Sequence, residues 1–80
     1  MFFVYVLYSE SVNRFYVGMS SDVNRRLIEH NRGKTLSTKP FIPWEIVHVE
    51  EFETGIEARK REKYLKSAAG RRWCKNNLGM

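Results

Sequence analysis

Two stripes of side chains place charged groups where apolar residues are expected. Ala58, Glu62, Leu65 and Ala69 are spaced by four, three and four, so they share one side of a helix and set a carboxylate among small or apolar neighbours. An unpaired buried charge is costly, so such a group needs a cation, a hydrogen-bond partner or a raised pKa. Its bases could be local, because Arg59 and Lys66 lie three residues before it and four after it on the same helix. Val23, Arg26, Leu27 and His30 fall at 0, 3, 4 and 7 on a second helical segment, so Arg26 and His30 border its apolar stripe. Arg25 points about 100° away and is a plain surface base. The chemistry open to this set is the handling of charge. It comprises a carboxylate that wants a cation, a guanidinium whose stem can cover apolar area, and an imidazole that titrates near neutrality.

The elements that must carry these groups follow from local pattern. Phe2 to Tyr8 and Arg14 to Gly18 are short, aromatic and β-branched, and together they form a hairpin. A turn centred between Glu10 and Ser11 makes paired numbers sum to 21, placing Tyr5 opposite Tyr16 with both rings on one face. Ser20, Ser21 and Asp22 offer N-cap oxygens before a helix over Val23 to Asn31, and Gly33 supplies its stop. Arg32 to Pro43 is a loop. Trp44 to Phe52 is a third strand, with Trp44, Ile46 and His48 alternating against Glu45, Val47 and Val49. Thr54 and Glu57 form a capping box for a second helix that runs to about Ala69. Gly70 then interrupts, and Arg71 to Leu78 closes the chain as a short helix or turn. The order ββαβα plus a short C-terminal helix defines one small α+β domain over residues 1–80, with helices packed on a three-stranded sheet.

Composition narrows the function classes. A single cysteine, Cys74, excludes an internal disulfide and a Cys-rich zinc site, and neither Cys74 nor mid-strand His48 is given a chemical role. The apolar opening, Met1 to Leu7, is followed too soon by polar residues for a signal-peptide core, and no apolar run reaches membrane-spanning length. A soluble, cytoplasmic protein without a membrane partner is expected. The formal charge of +5 on 80 residues favours an anionic partner. The bases concentrate at Arg59, Lys60, Arg61, Lys63, Lys66, Arg71, Arg72 and Lys75, with Arg32, Lys34 and Lys39 in the loop.

Phe3-Val4-Tyr5 and Tyr16-Val17-Gly18 resemble the two half-motifs of the GIY-YIG nuclease superfamily. The likeness extends in order through Asp22 to Asn31, Pro43-Trp44-Glu45 and Ala58 to Lys66, and so covers nearly the whole chain. It is similar to the short stand-alone branch related to the excinuclease nuclease domain. The resemblance implies a three-stranded antiparallel sheet flanked by helices. It places the family's tyrosines on Tyr5 and Tyr16, its arginine on Arg26, its His or Tyr on His30 and its metal-binding glutamate on Glu62. Met19 departs from the lysine that follows the YIG glycine in the excinuclease branch, and Asn76 and Asn77 give no secure counterpart to a late asparagine of some relatives.

What the resemblance implies is metal-dependent hydrolysis of phosphodiesters in DNA, structure-selective or nonspecific, in repair or recombination. Glu62 would hold Mg²⁺ or Mn²⁺, a hard cation whose other ligands are waters and phosphate. Arg26 would fork onto the scissile phosphate. Tyr16 would activate water with His30 as proton relay, and Tyr5 would position water or phosphate. Arg32, Lys34, Lys39, Arg59, Lys60, Lys63, Lys66, Arg71 and Arg72 would track the nucleic-acid backbone. So small a domain leaves specificity to a protein partner. The alternative is a nucleic-acid-binding module of the same fold with weak or lost chemistry.

Overall fold

The computed structural model describes residues 1–78. The chain forms β1 (Phe2–Ser9), β2 (Arg14–Ser20), α1 (Val23–Asn31), a 3-10 turn at Lys39–Phe41, β3 (Glu45–Phe52), α2 (Gly55–Lys66) and α3 (Ala68–Leu78). Strand order is β2-β1-β3 with both pairings antiparallel, as the sequence pattern and the resemblance imply. Central β1 is apolar on both sides because both of its faces are covered. Tyr5 and Leu7 pack with Trp44, with Val23 and Leu27 of α1, and with Phe41 and Ile42 of the loop. Val4 and Val6 pack with Ala58 and Leu65 of α2 and Cys74 of α3. The two helical stripes thus meet opposite faces of one sheet.

Three local expectations are corrected. Paired numbers in the hairpin sum to 23, so Tyr5 lies opposite Gly18 and Tyr16 opposite Leu7. The tighter turn lies further along, where Asn13 takes a positive φ of 53° and its side-chain oxygen accepts the Tyr8 hydroxyl at 2.8 Å. A displacement by two leaves the pleat in phase, so Tyr5 and Tyr16 still share a face.

In β3 the pairing steps from Val6–His48 to Leu7–Ile46, which leaves Val47 as an inserted residue. Ile46 stays with Leu7, but His48 turns to the other face, where its ring meets Trp73 at 5.1 Å. The Trp44-Ile46-His48 alternation therefore breaks after Ile46.

The break between the last helices falls at Ser67, not Gly70. Ser67 has an extended ψ of 171°, its hydroxyl donates to the Tyr64 carbonyl, and its oxygen accepts the Gly70 amide at 3.2 Å. The closing element is consequently an 11-residue helix that includes Gly70. A Cβ at Gly70 would lie 2.2 Å from the Tyr64 carbonyl oxygen and 2.3 Å from the Leu65 Cα, so glycine lets α3 fold back against α2. At the helix starts, Asp22 accepts the Arg25 amide and Thr54 accepts the Glu57 amide. The Glu57 carboxylate takes the Thr54 hydroxyl at 2.9 Å instead of the backbone amide that completes a full capping box. No helix among the described residues is long and apolar enough to cross a membrane.

Because the atoms facing Gly70 are backbone and cannot rotate away, Gly70→Ala is expected to destabilise the domain by about 3 kcal/mol, the upper end for overpacking. Urea unfolding should show a lower midpoint with an unchanged slope.

Candidate active site

The site is built around the Tyr5 ring. Opposite it in the hairpin stands Gly18, and a Cβ there would sit 2.3 Å from the Tyr5 hydroxyl oxygen and 2.4 Å from Cζ. The ring therefore lies on bare backbone of β2, an edge strand, and delivers its hydroxyl towards that edge. No other residue type fits at position 18 with the ring in this place.

α1 supplies the next layer. His30 is fully buried, accepts the Tyr5 hydroxyl on Nε2 at 3.3 Å, and has Nδ1 2.8 Å from the Thr38 hydroxyl oxygen. The Thr38 hydroxyl donates to the Thr35 carbonyl at 3.3 Å, so its proton is spent and the Nδ1–H of His30 must be the donor. Burial, and then the Arg26 charge, push the His30 pKa down against an opposing pull from Glu29, so the imidazole is neutral. The Thr38 carbonyl in turn accepts the Trp44 indole N–H at 2.9 Å. The Asn31 amide pairs with the backbone of Trp44, accepting its N–H at 2.7 Å and donating to its carbonyl at 3.0 Å. Trp44 is buried in the core, as its place beside Pro43 suggests.

The charges of the remaining sequence-predicted residues bear on the Tyr5 hydroxyl. Burial raises the Tyr5 pKa, the nearby Arg26 guanidinium lowers it, and the nearby Tyr16 and Glu62 add to the rise. Arg26 comes from α1 and Glu62 from α2, on opposite faces of the sheet. Arg26 is held by Glu29, whose carboxyl it keeps below the usual carboxylate range. Arg25 instead points to solvent and pairs with the other Glu29 oxygen at 3.3 Å. Tyr16 is half-buried, with its ring centroid 4.9 Å from that of His30 and 6.2 Å from that of Trp44. No hydrogen bond joins Tyr16 to His30. The expected relay from Tyr16 through His30 is therefore not formed; both ring nitrogens are engaged by Tyr5 and Thr38.

Glu62 keeps only 14% of its side-chain surface exposed, and Arg59 and Lys66 approach its two oxygens at 3.8 and 3.3 Å. The bridging to neighbouring bases read from its stripe is thus present. Among the described residues no group of three His, Cys, Asp or Glu side chains gathers into a metal site. A lone carboxylate still fits a hard cation that takes waters and phosphate as its remaining ligands.

The predicted nucleic-acid contacts divide. Arg59, Lys60 and Lys63 line one groove beside Met19, and Lys66 and Arg71 line another beside Tyr16. Arg72 lies further along the second groove with Arg14 and Lys75. Arg32, Lys34 and Lys39 sit on the loop after α1. Arg61, counted with the basic surface, is not free to join it. It forks onto Glu50 at 2.9 and 3.0 Å and stacks over Tyr64 and Trp73. The residues that pattern alone missed are Gly18, Glu29, Thr38 and Asn31. Thr38 had no signal in a loop of polar residues, whereas Gly18 stands in a strand, where glycine marks a close approach.

A tyrosine from the central strand, a second from an edge strand, an arginine from α1 and a carboxylate from α2 make up the candidate site of this α+β domain. Residues 1–76 match the GIY-YIG catalytic domain, and the chain belongs to that family. It is 43% identical over 65 residues to a UPF0213 protein of Listeria welshimeri, covering 80% of this chain and 71% of the relative. It is 45% identical over 65 residues to one of Listeria innocua, with the same coverage, and 41% identical over 66 residues to one of Staphylococcus epidermidis, covering 81% and 79%. No solved structure gives a significant match.

The depressed His30 pKa has a consequence for stability. The folded state binds this proton less readily than the unfolded chain, so stability is complete above about pH 6.5 and falls as pH drops from there through the folded value. Urea midpoints at pH 7.5 and 5.5 should differ for the parent, and His30→Gln should flatten that difference. An equal slope in both proteins would mean that His30 does not carry it.

Proposed function

We propose that this domain is a divalent-metal-dependent endonuclease acting on DNA, related to the excinuclease-type branch of its family. The observations that carry the reading are the Tyr5 ring lying on the bare backbone of Gly18, the Tyr16 ring beside His30, the Arg26 charge acting on the Tyr5 hydroxyl, and a largely buried Glu62 carboxylate on α2. An arginine and a largely buried carboxylate on otherwise apolar helix stripes have no packing purpose that apolar residues would not serve better.

In this reading Arg26 binds the scissile phosphate through its forked N–H groups and stabilises the charge that develops on its oxygens. Glu29 holds the guanidinium in aim. Tyr5 and His30 are positioning residues, since both are buried and their hydrogen bonds end at Thr38. Tyr16, at the rim, orients the attacking water and hands a proton outward to solvent. That water bonds to phosphorus as the bond to the leaving sugar oxygen breaks. Glu62 would hold Mg²⁺ or Mn²⁺, which would supply a positive charge to the phosphate oxygens. The bases of the two grooves bind neighbouring phosphates, and specificity beyond charge is left to substrate shape or a protein partner.

A second reading has its own observations. Both Glu62 oxygens are engaged by bases, and Met19 takes the place of a lysine next to Gly18. These features suit a domain that binds nucleic acid and cuts it weakly or not at all.

Nicking of supercoiled plasmid and branched DNA with Mg²⁺ or Mn²⁺ separates the two. The nuclease reading expects cleavage by the parent and a loss of more than about 100-fold in folded Glu62→Ala and Arg26→Ala proteins. Equal DNA binding by all three with no cutting makes the binding module the function. In either case, replacing Lys60, Lys63 and Lys66 by Ala should reduce the slope of log affinity against log salt by about 0.9 for each phosphate no longer neutralised. An unchanged slope removes that surface from the interface.

A further inference from the structure

Glu62 and the two bases beside it differ in freedom. The carboxylate is 14% exposed and tied to the packed side of α2, whereas Arg59 and Lys66 are 65% and 51% exposed on long flexible stems. Exposed ion pairs of this spacing are weak, because solvent screens them and the stems lose rotamer freedom. The bases can therefore swing away while Glu62 stays in place. Each approaches a different oxygen, so together they cover both sides of the carboxylate that a cation would use.

The two bases also open onto different grooves. Arg59 lines the groove of Met19, Ile56, Lys60 and Lys63, and Lys66 lines the groove of Phe15, Tyr16 and Arg71. Neither groove has an acidic residue in its lining, so each attracts phosphate and neither offers Arg59 or Lys66 another carboxylate. Glu62 is the acid that both can reach when no phosphate is present. A strand that crosses α2 puts a phosphate in each groove, where charge-assisted hydrogen bonds compete for both bases.

We infer that Arg59 and Lys66 close the Glu62 carboxylate in the free protein and release it when a phosphodiester strand fills both grooves, so that divalent-cation binding follows substrate binding. This rests on the reading of Glu62 as the metal ligand. Its consequence is a free protein that takes up little metal, and a complex that completes its site only when backbone lies on both sides. Occupancy of one groove leaves one base on the carboxylate. The same coupling works in reverse, since a cation on Glu62 repels the two bases towards phosphate and must tighten the strand by the same factor.

The test is Mn²⁺ binding followed by electron paramagnetic resonance of the free ion, with and without a short phosphorothioate duplex that resists cleavage. The parent, Arg59→Ala/Lys66→Ala and Glu62→Ala are compared, and the Glu62→Ala complex corrects for ions held by the duplex itself. Without duplex, the double variant is expected to bind Mn²⁺ about fivefold more tightly than the parent, the factor set by removing two weak pairs. Adding duplex should tighten Mn²⁺ on the parent and have a smaller effect on the double variant. Equal Mn²⁺ affinity of the parent and the double variant without duplex overturns the coupling and leaves the nuclease reading intact. If Glu62→Ala binds Mn²⁺ as well as the parent in both states, Glu62 is not the ligand, and the underlying reading fails with it.

Discussion

The contact on which the rest of the site depends is the Tyr5 ring lying on the backbone of Gly18. A phenol on the central strand of a small sheet would ordinarily be shielded by its cross-strand neighbour. With no side chain at position 18 the ring lies against the backbone of the edge strand, and its hydroxyl is held beside that strand. Arg26 and Glu62 belong to helices that pack on opposite faces of the sheet, and the charge of each bears on that hydroxyl. The missing Cβ thus gives the phenol its place in the candidate site, to which the α1 half and the α2 half of the molecule each bring a charge.

Each half is braced by polar contacts away from the Tyr5 hydroxyl. On the α1 side, His30 carries the order from Tyr5 to Thr38, and Thr38 carries it to the indole of Trp44, so the loop is tied to the strand through buried hydrogen bonds. Such a chain stabilises only if every member is satisfied. No buried side-chain nitrogen or oxygen among the described residues lacks a partner. On the α2 side, Arg61 forks onto Glu50, and His48 adds a bond to the same carboxylate at 2.7 Å. The next residue after Arg61 is Glu62, so this clamp to β3 sets how α2 is turned on the sheet and where Glu62 points.

Much of this was legible in the sequence because helix stripes and strand alternation report burial directly. Arg26, His30 and Glu62 stand out as polar residues on apolar stripes, and α1 matches its expected bounds of Val23–Asn31. What was not legible turned on single-residue shifts. The hairpin register depends on Asn13 entering a left-handed conformation, and the face of His48 depends on the inserted Val47; neither leaves a periodic trace. The position of the helix break depends on Ser67 capping both the end of one helix and the start of the next, although Gly70 is the commoner kind of helix breaker. His30 bonds to Tyr5 and Thr38 and not to Tyr16, a distinction out of reach of periodicity, which gives the face of a residue but not its hydrogen-bond partners.

Charge in this fold is sorted as well as unbalanced. The net +5 includes nine acids, yet Glu45, Glu50 and Glu51 lie in β3 with Glu53 just beyond it, and Glu50 is neutralised by Arg61. Every charged residue that lines the grooves of Arg59 and Lys66 is a base. The potential that a phosphate chain meets near Tyr16 is therefore more positive than the net charge suggests, while the β3 edge repels it. Such sorting orients a polyanion before any side chain touches it. It also explains why a single carboxylate within the basic surface must be nearly buried and ion-paired. Left open to solvent, it would weaken the field that brings the strand to the site.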